Sequence, residues 1–228
     1  AEMEDELQAD FIEDLDENRA AGLLGNMDPD DAADIVRDLP YEKAETLLRL
    51  MGVEDASEIR ALLGYRDGTA GGMMTTQFVT VHSSDTVRDA IEVLRALPED
   101  APSVYYLYVL DDDHRLVGVS SVRTLVLNKD DALMGDIMYT DIISVTPDEP
   151  EEDAVEDIFK YELTAMPVVD EREVLLGIIT VDDAWDALED DQSDKKRLFT
   201  NFQIAGIVLA GVLILGLYTL ILMQILGH

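Results

Sequence analysis

The spacing of apolar residues over residues 1–68 predicts short helices that repeat. Small and large apolar side chains each return every 12 positions, and the two aligned sets are Ala20, Ala32, Ala44 and Ala56, and Leu23, Ile35, Leu47 and Ile59. Pro29 and Pro40 mark two helix starts, because proline is tolerated in the first turn of a helix and disfavoured inside it. Helices of about nine residues are not stable alone in water. We therefore expect a superhelical stack that leans on the domain after it.

A second pattern, of strands and helices, occurs twice after this part. Leu116–Val122 returns as Leu175–Val181, and Gly118 and Gly177 lie 59 residues apart. The extended stretches and helices expected to precede these segments are Val79–Val81 with Thr86–Leu97, and Ile143–Val145 with Ala154–Tyr161. A tandem β-α-β-β-α unit predicts an α+β fold in which residues 69–133 (copy 1) and 134–191 (copy 2) form a pseudo-symmetric pair with a cleft between them.

Residues 204–225 form an almost wholly apolar segment without a charged side chain. About 20 such residues in a helix span the roughly 30 Å of a bilayer core. The connector before it, residues 192–203, carries the basic run Lys195–Arg197 in an otherwise acidic chain. By the positive-inside rule we expect a single-pass protein of the cell membrane, with the N-terminal domains in the cytoplasm and a short C-terminus outside.

The charge of the chain excludes some functions and leaves two explanations for its acidity. Fifty acidic residues against 16 basic ones give a formal net charge of -34, which repels nucleic acid. The carboxylates either coat the surface, as in adaptation to high salt, or include oxygen ligands for Mg²⁺ or Ca²⁺. The chain has no cysteine and three scattered histidines, and we find no paired nucleophile and base. We therefore do not expect an enzyme.

Several separate motifs, in order, resemble a known family. They are Gly68–Thr75, Val104–Val109, Met166–Asp170 and Gly177–Asp183. The duplicated unit resembles a cystathionine-β-synthase (CBS) domain pair. The amino-acid sequences of the motifs resemble the cytosolic portion of MgtE-type magnesium channels. The repeat in residues 1–68 is similar to a shortened form of that family's N-terminal helical domain. The family continues into a five-helix pore domain, whereas this sequence shows one span, so we expect that it is not a pore by itself.

The resemblance implies a set of residues for binding Mg²⁺ between the helical domain, the CBS pair and the last helix. Carried over position by position, the acids are Asp30, Asp34, Glu152, Glu162, Asp183, Asp186, Asp191 and Asp194, with the backbone of Gly72 as a further contact. Asp30 and Asp34 stand four apart and share one face of the third helix. Mg²⁺ takes six oxygens and completes its shell with water, so that acids from distant segments can share one ion.

CBS pairs also bind adenine nucleotides, which the resemblance extends to ATP or AMP here. The pattern for this site is Gly177, Thr180 and Asp183, with the hydroxyl near phosphate and the carboxylate on the ribose. Copy 1 has Thr124 where the ribose acid would stand, so at most one such site is expected. Alternatively, Thr180 only caps the following helix. Asp183 belongs to both the Mg²⁺ set and the nucleotide set, and these two uses compete.

The sequence therefore leaves three functions open. The first is a membrane-anchored, Mg²⁺-responsive regulator related to the cytosolic gate of MgtE channels. The second is a structural accessory subunit of a larger membrane complex, and the third is an adenine-nucleotide-binding regulator. The expected partners are the lipid bilayer, other membrane-protein subunits and a second copy of the chain through the CBS pair, and no nucleic acid.

Overall fold

The computed structural model describes residues 5–98 and 104–188, and the side chains from Gln8 onward within these ranges. Within these ranges, no helix is both long enough and apolar enough to cross a membrane. The basic connector at residues 192–203, the expected span at residues 204–225, and the acids Asp191 and Asp194 lie outside the described residues. Residues up to Asp183 form one compact unit.

Five short helices make up the N-terminal part of the described chain. They are α1 (Asp5–Asp14), α2 (Glu17–Leu24), α3 (Pro29–Asp38), α4 (Tyr41–Leu50) and α5 (Val53–Leu62). The two prolines act as expected: Pro29 is the first residue of α3, and Pro40 is the residue that precedes α4. With lengths of eight to ten residues, these helices depend on their neighbours for stability.

The 12-residue repeat sets how these helices pack. Each helix contacts the next but one, α1 with α3, α2 with α4 and α3 with α5, as in a superhelix. The four aligned alanines are all buried, because a small side chain at this position lets neighbouring backbones approach. Ile35, Leu47 and Ile59 are also buried, whereas Leu23 of the first repeat is 46% exposed. The repeat thus describes the core of the stack except at Leu23.

Copy 1 begins with a short helix and continues as a three-stranded sheet with two helices. Its elements are α6 (Ala70–Met73), β1 (Thr80–His82), α7 (Val87–Arg95), β2 (Tyr106–Leu110), β3 (Leu116–Ser121) and α8 (Val122–Leu127). Strand β1 runs parallel to β2, and β2 pairs antiparallel with β3. Thr86 and Asp89 form a capping box that fixes the start of α7.

Copy 2 repeats this order with one difference. Its elements are α9 (Met134–Ile137), α10 (Glu151–Lys160), β4 (Ala165–Val169), β5 (Leu175–Thr180) and a helix over residues 181–188. The extended stretch expected at Ile143–Val145 forms a single bridge, Val145 to Val168, instead of a strand. Pro167 explains this difference: the equivalent Tyr108 donates its N–H to the Val79 carbonyl at 2.9 Å, and proline has no N–H to donate.

The two copies are interlocked through the segments that precede them. Thr75, after α6, pairs with Ile178 of copy 2, while Tyr139, after α9, pairs with Val119 of copy 1. Apolar side chains fill the space between the copies, namely Tyr108, Leu116, Val169, Leu175 and Ile178. The chain that leaves the helical stack therefore docks first on copy 2, although copy 1 follows it in sequence.

Candidate functional site

Helix α3 carries the first two acids of the candidate site. Ala32, Ala33 and Val36 turn one face of α3 into the stack, and Asp30 and Asp34 lie one helical turn apart from each other. Asp30 lies in the first turn, where the helix dipole favours a negative charge. Burial raises the pKa of Asp30 above its ordinary value, and the neighbouring charges of Asp31 and Asp28 add to this effect.

The third acid, Asp183, lies at the start of the helix that follows β5. Its carboxylate accepts hydrogen bonds from the Thr180 hydroxyl and, at 3.3 Å, from the Thr180 N–H. The Asp183 N–H in turn donates to the Thr180 hydroxyl at 3.4 Å, so the two residues form a capping box. These hydrogen bonds fix the Asp183 carboxylate beside the end of β5.

Asp30 of the stack and Asp183 of copy 2 lie within electrostatic reach of each other, at what we call the junction between the stack and copy 2. Burial raises the pKa of Asp183 to about 6, and the nearby Asp30 carboxylate raises it further than its own neighbour Asp182 does. The Thr75 side chain lies between these segments: its hydroxyl hydrogen-bonds Asp30 and lowers the pKa of that acid, while its backbone pairs with Ile178. We call Asp30, Asp34 and Asp183 the junction acids.

Arg37 and Asp67 extend this group on the side of α3. Burial raises the pKa of Asp34 to about 6, and it does so against the opposing effect of Arg37, which contacts the Asp34 carboxylate. Arg37 Nη1 also lies 3.8 Å from Asp67 Oδ1 in the loop between α5 and α6. The charges of Asp67 and Asp30 both raise the pKa of Asp34, so these acids lie within electrostatic reach of one another.

The junction offers carboxylate oxygens, which are the kind of donor that a hard divalent cation takes. Asp30 Oδ1 is buried and has no hydrogen-bond partner, and leaving a buried carboxylate oxygen unpaired is costly. Mg²⁺ binds through one or two carboxylates and keeps several of its waters. Among the described residues, no group of three or more acids and histidines is close enough to hold an ion by direct contacts alone. The residues that would hold Mg²⁺ are therefore Asp30 and Asp183, and Asp34, one helical turn from Asp30, would take part through a water of the ion.

The remaining predicted ligands lie on other elements. Gly72 is buried in α6, where its N–H donates to the Thr69 carbonyl at 2.9 Å, and α6 packs against α10. Glu152 is exposed in the first turn of α10, and Glu162 is exposed just after that helix with a φ of 54°. Asp186 is exposed in the helix over residues 181–188. The structure thus brings three of the predicted ligands together, with Asp30 within electrostatic reach of both Asp34 and Asp183.

The predicted nucleotide pattern has a structural role at each of its positions. A Cβ on Gly177 would lie 2.6 Å from Met74 Sδ and 2.8 Å from the Thr75 carbonyl oxygen, so only glycine permits the docking of Thr75. Thr180 and Asp183 are hydrogen-bonded to each other and cap the helix that follows β5. In copy 1 the equivalent Ser121 hydroxyl lies 2.8 Å from the Thr124 hydroxyl. Both helices therefore have a cap without any ligand.

Sequence reasoning missed Arg37, Asp67 and Thr75. The spacing of Asp34 and Arg37, three apart on one helix, is a visible signal for an ion pair. No comparable signal exists for Asp67 or Thr75, because their contacts join segments that are distant in the chain.

Comparison with known proteins agrees with this architecture. The MgtE intracellular N domain matches residues 1–68, and the CBS domain matches residues 70–129 and 134–184. The crystal structure of the soluble part of a magnesium transporter is 39% identical, with a TM-score of 0.77 over 83% of this chain and 74% of that one. The chain belongs to the MgtE family. It carries the family's N domain and CBS pair, which form the cytosolic part of these transporters.

Two further MgtE proteins define the extent of the similarity. The magnesium transporter MgtE of Bacillus subtilis is 37% identical over 187 residues, which are 82% of this chain and 42% of that protein. The cytosolic domain of the Mg²⁺ channel MgtE, in complex with ATP, is 33% identical with a TM-score of 0.76, covering 81% of this chain and 76% of that chain. Overall, the chain spans 29% to 42% of the length of the curated MgtE relatives it matches.

Proposed function

We propose that this MgtE chain is a Mg²⁺-responsive regulatory module, in which divalent cations hold the helical stack against copy 2 of the CBS pair. The observation that carries the proposal is the pair of half-buried acids, Asp30 and Asp183, which lie on the two sides of this junction within electrostatic reach of each other. The similarity to magnesium transporters supports the choice of cation.

The physical basis is neutralisation of like charges. When Asp30, Asp34 and Asp183 are ionised, they repel one another in a partly buried site, where screening by water is weak. A bound divalent cation reverses the sign of this interaction, because each carboxylate then contacts positive charge. The ion stabilises the closed junction only by the difference in its affinity for the closed and open forms. Opening and closing of the stack is the change that a membrane partner would detect.

Fluorescence energy transfer tests the proposal, since the chain has no cysteine of its own. Exchanging two exposed residues, Ser57→Cys on α5 and Lys129→Cys in copy 1, gives one dye site on the stack and one on the CBS pair, whose two copies are interlocked. We expect the full chain in detergent micelles to gain transfer efficiency as Mg²⁺ rises into the millimolar range. Efficiency that stays the same in chelator and in saturating Mg²⁺ would argue against the proposal.

The proposal includes anchoring by residues 204–225 as a single span of the cell membrane, with the CBS pair in the cytoplasm. The apolar character of this segment and the basic run Lys195–Arg197 support it. Protease protection of the chain in sealed vesicles tests it: residues 1–188 should be digested from the cytoplasmic side only. A homodimer through the CBS pair and other membrane-protein subunits are the proposed partners, and cross-linking before detergent extraction would capture them.

A nucleotide-binding regulator is the second candidate, favoured by the ATP complex of the related MgtE cytosolic domain. In this chain, a nucleotide ribose at Asp183 would have to compete with the Thr180 hydroxyl for the same carboxylate. Calorimetric titration with AMP, which chelates Mg²⁺ only weakly in solution, before and after saturation with Mg²⁺, distinguishes the two. Mutual exclusion of AMP and Mg²⁺ would assign both to Asp183. A chain that binds neither ligand would instead support the structural accessory subunit.

A further inference from the structure

Arg37 occupies a position that neither the metal set nor the nucleotide set explains. Its guanidinium contacts the Asp34 carboxylate, and Nη1 lies 3.8 Å from Asp67 Oδ1 in the loop that joins the stack to the CBS pair. Its side chain is only 21% exposed, against 68% for Arg88, which forms an ion pair on the surface of copy 1. Arg37 therefore joins an acid of the stack to an acid of the connector.

The Arg37 guanidinium lies among acidic side chains, as a bound metal cation would. Asp34 receives repulsion from Asp67 and Asp30, and Arg37 opposes it. At the same time Arg37 Nη2 is buried without a hydrogen-bond partner. A guanidinium has five N–H donors in a fixed plane, and a buried donor without an acceptor weakens its binding. The arginine is thus attracted by the acids but incompletely satisfied among them.

We propose that Arg37 is a tethered cation that partly replaces Mg²⁺ in the metal-free chain and competes with it for Asp34. It is a positioning and affinity-setting residue, and this role rests on the function proposed above. With Mg²⁺ absent, Arg37 bridges Asp34 and Asp67 and keeps the junction from opening fully. When the ion binds, it takes over Asp34, and the guanidinium moves toward Asp67 or solvent. The protein therefore responds at a higher Mg²⁺ concentration than the acids alone would set.

The test is Arg37→Gln in the dye-labelled chain, with Arg88→Gln as the matched control that removes the same charge from the surface of copy 1. We expect Arg37→Gln to show lower transfer efficiency in chelator, and to close at about threefold less Mg²⁺, the range of an exposed to half-buried ion pair. Arg37→Lys, which keeps the charge, should stay near the original midpoint. The proposal is overturned if Arg37→Gln matches Arg88→Gln in both chelator and midpoint.

Two further outcomes keep the test decisive. If the unsubstituted chain does not respond to Mg²⁺, the proposed function fails. The Arg37 bridge is then tested in chelator alone. An Arg37→Gln chain that is more open than the unsubstituted chain supports the bridge, and one that is equally open overturns it. If Arg37→Gln does not fold by circular dichroism, the Nε–H resonance of Arg37 in the unsubstituted protein decides. The chemical shift of this resonance should change as Mg²⁺ is added, with the same midpoint as closing of the junction. A chemical shift that does not respond to Mg²⁺ would refute the proposal.

Discussion

The Asp30 carboxylate on α3 raises the pKa of Asp183, although the two acids belong to different domains and lie far apart in the chain. Two acids are brought together here, and among the described residues one oxygen of Asp30 is buried without a hydrogen-bond partner. Such an arrangement destabilises the closed junction at neutral pH unless a cation joins it. The predictions below follow from this pair and from the caps and glycines that position it.

Neutralising either Asp30 or Asp183 should weaken Mg²⁺ binding and, in the absence of metal, favour the closed junction. We expect Asp30→Asn and Asp183→Asn each to raise the half-saturating Mg²⁺ concentration by about tenfold or more, because each removes one of the carboxylates that contact the ion. Both should also increase closure in chelator, since repulsion is lost. The dye-labelled chain measures both effects, and Asp141→Asn, at an exposed loop position, is the control. Unchanged midpoints would show that the ion binds elsewhere.

Lowering the pH should close the junction without metal. The pKa values of Asp34 and Asp183 rise from 3.8 to about 6 in the closed junction. Because these values are raised, protonation favours the closed form, and this stabilisation is lost as the pH rises through about 6. In chelator, transfer efficiency should therefore increase between about pH 6 and pH 4. The double variant Asp34→Asn with Asp183→Asn should flatten this curve, and a curve that it leaves unchanged would contradict the assignment.

Mg²⁺ binding near pH 6 should release protons, because the ion requires ionised carboxylates that are partly protonated at that pH. Calorimetry in two buffers of different ionisation enthalpy measures the number of protons released. We expect a release near pH 6 that vanishes near pH 8, where the junction acids are already ionised. Equal heats in the two buffers near pH 6 would be inconsistent with binding at these acids.

The caps of the two equivalent helices should contribute similarly to stability but differently to function. Thr180→Ala and Ser121→Ala each remove an N-cap side chain and should lower the free energy of unfolding by about 1 kcal/mol. Only Thr180→Ala frees the Asp183 carboxylate from a hydroxyl donor, so only this variant should change the Mg²⁺ midpoint. Thermal denaturation and the labelled chain test the two parts. Equal midpoint changes in both variants would indicate a general loss of structure.

The two equivalent glycines, Gly118 and Gly177, should differ in how well they tolerate substitution by alanine. The three atoms nearest to a Cβ on Gly118 would all belong to the Met138 side chain, the farthest of them Met138 Cβ at 2.9 Å, whereas a Cβ on Gly177 would lie 2.8 Å from the Thr75 carbonyl oxygen. We expect Gly118→Ala to cost about 1–3 kcal/mol and to be partly rescued by Met138→Gly, which removes the whole clashing side chain including its Cβ. Gly177→Ala should not be rescued by Met74→Gly, because the Thr75 carbonyl oxygen is a backbone atom and remains in place. Denaturant unfolding measures all four variants, and equal rescue would disprove the distinction.

Much of the fold follows from local patterns in the sequence. The 12-residue repeat predicted the helices of the stack because a small residue must recur wherever neighbouring helices touch. The 59-residue spacing predicted β2 with β4 and β3 with β5, since Tyr106–Leu110 returns as Ala165–Val169 and Leu116–Ser121 as Leu175–Thr180. The expected first strand of copy 2, Ile143–Val145, was wrong, because the structure has only a single bridge there. Its loss depends on Pro167, which affects a hydrogen bond of another segment.

The sequence by itself determined the repeats, the helix starts, the acidic character and the family motifs, because each is a property of residues near one another in the chain. The pairing of acids was decided only by the tertiary structure. Thr75 docks on Ile178 of copy 2, and this non-local contact places α3 beside Asp183 and its cap. Arg37 and Asp67 likewise meet only once the connector folds back on the stack. Electrostatic energies depend on distance and burial, and both are set by such long-range contacts.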